Sequence, residues 1–182
     1  MGESPKEKEA RGRQASIEGF ANEKIICGLL MKKYGNVSMV DLPLSSYDMT
    51  LVNKLKDGSE DIIRIQSKTA TKSVPFTGGG RGGVERIQIS GIKTYVQSPK
   101  RSDCVVGIHF EDGEPVLYFV PTFLIAELKS RKGEQAKSIS INKIKPLKNN
   151  YEILEKCKDR DFVIKKAKEY EILPKFHNSV LL

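Results

Sequence analysis

The sequence predicts an α/β fold with one central mixed β-sheet flanked by helices, and three observations carry that prediction. Helical periodicity comes first, strand-like segments joined by two polar hairpin signals fill the middle, and helical patterning returns at the end. The chain has 182 residues, of which 38% are hydrophobic, enough Ile, Leu, Val and Phe for the core of one domain with appendages. A wholly disordered chain is excluded on that ground.

Residues 1–14 alternate acids and bases around Gly and Pro with no apolar anchor, which predicts a flexible tail preceding a single domain over 15–182. A helix is expected from Ser16, a suitable N-cap, to Gly35 in the C-terminal capping position after Lys32 and Lys33. Segments 36–44, 45–55 and 60–70 read as strands, the last two joined by the polar turn Lys56-Asp57-Gly58-Ser59 into an antiparallel hairpin. Residues 71–83 hold five of the fifteen glycines and read as a flexible loop. A strand over 84–89 and a short helix over 90–98, ended by Pro99, follow. Two apolar strands over 103–110 and 115–121 flank Glu111-Asp112-Gly113-Glu114, and their composition predicts central, doubly covered positions. A short helix over 122–131, a weak strand over 137–144 and one or two terminal helices complete the chain, the last forming a C-terminal extension over about 148–182.

Charge narrows the classes of partner. Lys and Arg number 31 against 23 Asp and Glu, a net charge of +8 and a pI near 9.3, which favours a polyanion and nucleic acid first. No apolar run approaches the roughly 18 residues of a membrane span, and the charged N-terminus is unlike a signal peptide, so a cytoplasmic protein with no membrane partner is expected. Cys27, Cys104 and Cys157 are odd in number and widely spaced, which indicates neither a disulfide framework nor a zinc site. The basic charge is concentrated. Arg64 to Arg101 carries eight bases and one acid, and Lys129 to Lys148 carries seven bases and one acid. Lys72, Arg81, Arg86, Lys93, Lys100, Arg101, Arg131, Lys132 and Lys137 are the candidate phosphate contacts, although either segment taken alone reads better as a solvated loop. The glycine-rich run is not followed by Gly-Lys-Ser/Thr, so no nucleotide cofactor is indicated. His109 and His177 have no partners at metal-ligand or triad spacing and are assigned core or surface roles.

Candidate chemistry lies in the first helix and first hairpin. At 100° per residue, Phe20, Ile26, Cys27, Leu30 and Tyr34 share a helix face with Glu23 amid them. That carboxylate is either partly buried and paired with a cation, or sits at the stripe edge in water, the reading the wheel alone favours. Strand alternation puts Ile62, Arg64, Gln66 and Lys68 on one face and Ile63, Ile65 and Ser67 on the other. A three-residue loop Lys56-Asp57-Gly58, with Gly at its left-handed third position, pairs Leu55 with Ser59 and therefore Asp48 with Gln66. A two-residue Asp57-Gly58 loop separates them.

These residues resemble the PD-(D/E)XK nuclease superfamily. Gly19 and Glu23 in a first helix, Tyr47-Asp48 opening a strand, and Ile65-Gln66-Ser67-Lys68 closing the next follow its order, over about residues 15–120. The likeness is to branches with Gln in the third motif, among them restriction-type and homing endonucleases; the first helix is also similar to that of archaeal Holliday-junction resolvases. The chain departs from the pattern in having no Pro before Asp48 and Gln66 in place of an acid, so one negative ligand is missing. The resemblance implies a restriction-endonuclease-like fold and a metal-dependent DNA endonuclease using Mg²⁺, or Mn²⁺, as a homodimer. It implies Asp48, the Gln66 side-chain carbonyl and the Ser67 backbone carbonyl as metal ligands, Glu23 as a ligand through water or to a second metal ion, and Lys68 as the residue that orients or deprotonates the attacking water. Hard oxygen donors beside a lysine suit phosphodiester hydrolysis in their own right. The competing expectation is an inactive nucleic-acid-binding module of the same fold, for which Gln66 is the main argument.

Overall fold

The computed structural model describes residues 4–42, 45–78, 95–130 and 132–174. Helix α1 (Pro5–Tyr34) opens on a capping box, in which the Glu7 N–H donates to Ser4 Oγ at 3.3 Å and the Ser4 N–H to the Glu7 carboxylate at 2.6 Å. The flexible tail expected over 1–14 is therefore helical from Pro5 onward. No apolar anchor is needed: the cap, Pro5 at the first helical position and the i,i+4 pairs Glu9–Arg13 and Gln14–Glu18 supply local support to residues that remain largely exposed. The buried residues of the helix begin at Asn22 and continue with Ile26, Cys27 and Leu30. Phe20, expected on the buried face, lies before that point and is 62% exposed. At the other end the Gly35 N–H returns to the Met31 carbonyl at 2.8 Å, with φ +76° at the cap.

Strands β1 (Val37–Met39), β2 (Met49–Lys54) and β3 (Glu60–Thr69) run as an antiparallel meander, the strand expected over 36–44 contracting to three residues. The β2–β3 hairpin closes with Leu55 paired to Ser59 at 2.8 Å and Gly58 at φ +84°, the three-residue alternative. Its register sets Met49 opposite Ile65 and Lys54 opposite Glu60, so Asp48 falls opposite Gln66.

Beyond β3 come β4 (Ser73–Pro75), β5 (Thr77–Gly78) and β6 (Tyr95–Val96). Tyr95–Val96 pairs with Thr77–Gly78, which corrects the short helix expected over 90–98: these β-prone residues find a partner strand, and the Tyr95 ring lies where a Cβ on Gly78 would come within 2.8 Å. The strand expected over 84–89, with Arg81, Arg86, Lys93, Arg131 and His177, lies outside the described residues.

Strands β7 (Cys104–Glu111) and β8 (Glu114–Pro121) form the second expected hairpin, turned by Asp112 and Gly113 at φ +51° and +86°. β7 pairs parallel to β3, giving among the described residues a five-stranded mixed sheet in the order β1-β2-β3-β7-β8. β7 is central, as expected, but β8 ends the sheet. Its residues are buried all the same, because later elements cover it and a bridge from Lys148 to Tyr118 blunts the edge. Those elements are α2 (Thr122–Glu127), β9 (Ser138–Ser140), a helical turn over Ile141–Leu147, α3 (Tyr151–Glu155) and α4 (Arg160–Glu169). β9 pairs antiparallel with β4. The core joins α1 to the sheet through Ile26, Leu30, Met49, Leu51, Ile63, Ile65 and Ile108, all fully buried. Cys27, Cys104 and Cys157 are buried free thiols. Among the described residues no helix is long and apolar enough to cross a membrane.

Candidate active site

Strand β3 outruns β2: its last β2 partner is Ile65, so Gln66, Ser67, Lys68 and Thr69 keep β7 on one side and have no β2 residue on the other. Asp48 occupies that gap. Its N–H donates to the Ile65 carbonyl at 2.8 Å, and its Oδ2 accepts from the Ser67 N–H at 2.7 Å, Ser67 Oγ at 2.5 Å and Gln66 Nε2 at 2.5 Å. Alternation separates the Gln66 and Ser67 side chains to opposite faces, yet both reach one oxygen. They can because the carboxylate lies in line with the Ser67 N–H, at the edge of the strand, where it is accessible from either face. The side chain of Ser67 thus belongs to the cluster, whereas the sequence had pointed only to its backbone.

Gln66 is engaged at both ends. While Nε2 donates to Asp48, Oε1 accepts from Gln97 Nε2 at 2.9 Å, so its carbonyl faces Gln97 rather than the cleft beside Asp48. Gln97 also donates to the Ser46 carbonyl at 2.9 Å and accepts from Ser102 Oγ at 3.0 Å.

Helix α1 brings Glu23 over the same end of β3. Asn22, one residue earlier, donates to Thr69 Oγ1 at 2.9 Å and ties the helix to the strand. Glu23 is half-buried, and burial first, then the neighbouring Asp48 charge, push its carboxyl above the ordinary carboxylate range, with Ser67, Lys68 and Lys24 pulling the other way. A cleft of about 150 Å³ lies between helix and strand, lined by Gly19, Asn22, Glu23, Ser67, Lys68 and Thr69. Of the two readings open for Glu23 on the wheel, the burial of the first holds, with the Asp48 carboxylate as the neighbouring charge that acts on it most. Glu23, Asp48, Gln66, Ser67 and Lys68 are therefore gathered at one end of β3. Among the described residues, no group of three or more His, Cys, Asp or Glu is placed to hold a metal ion.

Sequence reasoning missed Asn22 and Gln97. Asn22 stands four residues before Ile26 and eight before Leu30, so the wheel carries its signal. Gln97 has none, being a neutral amide in a segment of helical appearance. Of the candidate phosphate contacts, Lys72, Lys100, Arg101, Lys132 and Lys137 are exposed, and the Arg101 guanidinium stacks 3.8 Å from the centre of the Tyr95 ring. Arg64 is turned inward, paired with Asp103 at 2.8 Å and donating to the Pro99 carbonyl at 2.8 Å. His109 accepts the role expected of it, half-buried with Nδ1 at 2.9 Å from the Ala70 carbonyl.

No family model and no curated protein matches the sequence. Among solved structures, the fold is similar to that of a bacterial homing endonuclease, I-Ssp6803I, with a TM-score of 0.50 and 12% identity, covering 85% of this chain and 96% of that one. The central mixed sheet flanked by helices is thus shared with an endonuclease.

Proposed function

We propose that this chain is a metal-dependent DNA endonuclease of the PD-(D/E)XK type, with Glu23, Asp48 and Lys68 at its centre. The observation that supports this reading best is the Asp48 carboxylate held at the open edge of β3, beside a second, half-buried carboxylate and a lysine. The donor set fits a hard divalent cation such as Mg²⁺ or Mn²⁺. The neighbouring Asp48 charge raises the cost of ionising Glu23 when no cation lies between them. The three hydrogen bonds that the Asp48 carboxylate accepts, from the Ser67 N–H, Ser67 Oγ and Gln66 Nε2, all fall on Oδ2, which leaves Oδ1 for a ligand. In a strand the carbonyl of a residue points to the same side as its N–H, so the Ser67 carbonyl faces the Asp48 side as well. Asp48, Glu23 and the Ser67 carbonyl would hold the ion, which when bound supplies a water acidic enough to attack a phosphodiester and charge to offset that on the phosphate.

The chain's own residues do the rest. Lys68 is the group placed to orient or accept a proton from the attacking water, a role that a lysine beside positive charge can fill. Lys72, Lys100, Arg101, Lys132 and Lys137, with Arg81, Arg86, Lys93 and Arg131, hold the phosphate backbone and carry most of the affinity. Cutting both strands of a duplex requires two such centres, for which a homodimer is the simplest arrangement.

Cleavage of plasmid DNA by the purified chain with Mg²⁺ or Mn²⁺ tests the proposal. Lys68→Ala is expected to nearly abolish cleavage while DNA affinity stays within a few-fold of wild type, since the lysine acts on the chemical step and affinity comes from remote contacts. Asp48→Ala is expected to abolish cleavage and to leave or tighten DNA binding, because it removes a negative charge near phosphate. Cleavage persisting unchanged in both variants would place the activity elsewhere. A second reading, an inactive DNA-binding module, is favoured by the engagement of the Gln66 carbonyl by Gln97 and by the absence of a third acid in the cluster among the described residues. Salt-sensitive DNA binding with no cleavage of plasmid, junction or single-stranded substrates under either metal selects it.

A further inference from the structure

We infer that Gln97 is the positioning residue of this site: it fixes the orientation of the Gln66 amide, so that Gln66 acts as a donor clamping Asp48 and not as an oxygen ligand. The inference rests on reading the Asp48–Glu23 cleft as a cation site. It departs from the role that the family resemblance assigns to position 66.

An amide's oxygen and nitrogen are nearly the same size, so only its partners decide which way it points. Here one partner has a fixed role. The Ser46 carbonyl can only accept, so the atom of Gln97 that lies 2.9 Å from it must be Nε2. The other end of Gln97 then accepts from the Ser102 hydroxyl at 3.0 Å, which is free to donate. The second proton of Gln97 Nε2 points to Gln66 at 2.9 Å, and the atom receiving it must be Oε1. The nitrogen of Gln66 is thereby left facing Asp48 Oδ2 at 2.5 Å. Reversing Gln66 alone would set nitrogen against nitrogen at Gln97 and oxygen against oxygen at Asp48. Reversing both amides would keep the oxygen clash at Asp48 and add a second at Ser46. The orientation is therefore set by a backbone carbonyl that cannot change its role, and Ser46 is itself anchored by its Oγ donating to the Arg101 carbonyl at 2.8 Å. Water does not soften this logic, because Gln97 is 2%, Ser102 0% and Gln66 7% exposed, and a buried unpaired polar group costs about 1–3 kcal/mol.

The chemical consequence is a carboxylate pinned by three donors on one oxygen, with the other oxygen directed to a ligand. Outer partners that hold a ligating carboxylate in this way usually matter by about 10–100-fold in metal affinity or activity.

The test uses the full chain, isotopically labelled, with the Gln66 Nε2H₂ signals read by NMR. In the wild type, scalar coupling across the hydrogen bond from Gln66 Nε2 to the Asp48 carboxyl carbon is expected, and it should survive addition of Ca²⁺. Gln97→Met keeps the length of the side chain and deletes its donors; it should shift or broaden the Gln66 signals and weaken Mn²⁺ binding by roughly 10–100-fold, with DNA affinity unchanged. Gln97→Glu, which turns the donor into an acceptor, should remove the coupling. Unmoved Gln66 signals in a folded Gln97→Met chain overturn the inference. So does a wild-type coupling that Ca²⁺ abolishes, since Gln66 would then have turned its carbonyl to the ion; this arm holds even if the variants fail to fold. If the coupling is present but neither Ca²⁺ nor Mn²⁺ binds, the orientation is supported and the nuclease reading is what falls.

Discussion

Glu23 is held where its charge is least welcome, half-buried and facing Asp48, and that makes its titration a test of the site's purpose. Its folded-state pKa lies above the ordinary value of 4.5, so the fold favours the protonated form. The associated stability is present below the unfolded value and is lost as pH rises through the raised one. In cation-free buffer Glu23→Gln is therefore expected to melt higher than wild type at neutral pH, with the difference closing as pH falls below about 4.5. Mg²⁺ should narrow the gap at neutral pH by stabilising the wild type more than the variant, which lacks one carboxylate ligand. A variant that melts lower than wild type at pH 7 would show that the ionised carboxylate has a cationic partner within the protein. Gln66→Glu works the other way. It replaces the donor on Asp48 Oδ2 with a carboxylate oxygen, so it should lower the melting temperature without metal, and Mg²⁺ should recover more of that loss than it adds to the wild type.

At the scale of elements, local chemistry decided what the sequence could reveal. The β2–β3 hairpin was legible from its polar turn, but its register stayed open between a three-residue and a two-residue loop until the Leu55–Ser59 pair and left-handed Gly58 selected the one that sets Asp48 against Gln66. Gly58→Ala forces a side chain into a left-handed conformation and should cost about 1–2 kcal/mol, read by denaturant unfolding with an unchanged slope. Gly107 carries a different constraint, since a Cβ there would come within 2.7 Å of Val74 Cγ2 where β4 crosses β7. Gly107→Ala should destabilise by about 1–3 kcal/mol through overpacking, and nothing in the sequence announced that approach. The start of α1 was illegible for the opposite reason. Its first turns bury nothing, so a reading built on apolar periodicity stops at Ser16, while Ser4, Pro5 and Glu7 specify the true start. Ser4→Ala is accordingly expected to fray the first turns, seen as faster amide exchange there, without moving the global unfolding midpoint. Gln97 escaped because its partners Ser46 and Gln66 are distant in sequence and carry no charge or periodicity to betray them.

Over the whole molecule, the chain carries a net charge of +8 while the candidate site is built around two carboxyl groups, so in the proposed function binding and chemistry fall to different residues. Phosphate contacts release counterions, and the logarithm of DNA affinity should fall linearly with that of salt, by roughly 0.9 for each phosphate neutralised. Lys72 and Lys137 flank the β4–β9 pair, both exposed and outside the Asp48 cluster, which makes them clean probes of that term. Lys72→Ala and Lys137→Ala should each weaken binding evenly across DNA sequences and reduce the salt slope by about one, leaving the cleavage rate at saturating DNA unchanged. Lys68→Ala should do the reverse, losing the rate and keeping the slope. A slope unaltered in both surface variants would move the DNA to another face of the protein, and a wild-type affinity independent of salt would remove nucleic acid as the partner, since a basic surface that releases no counterions is not binding phosphate.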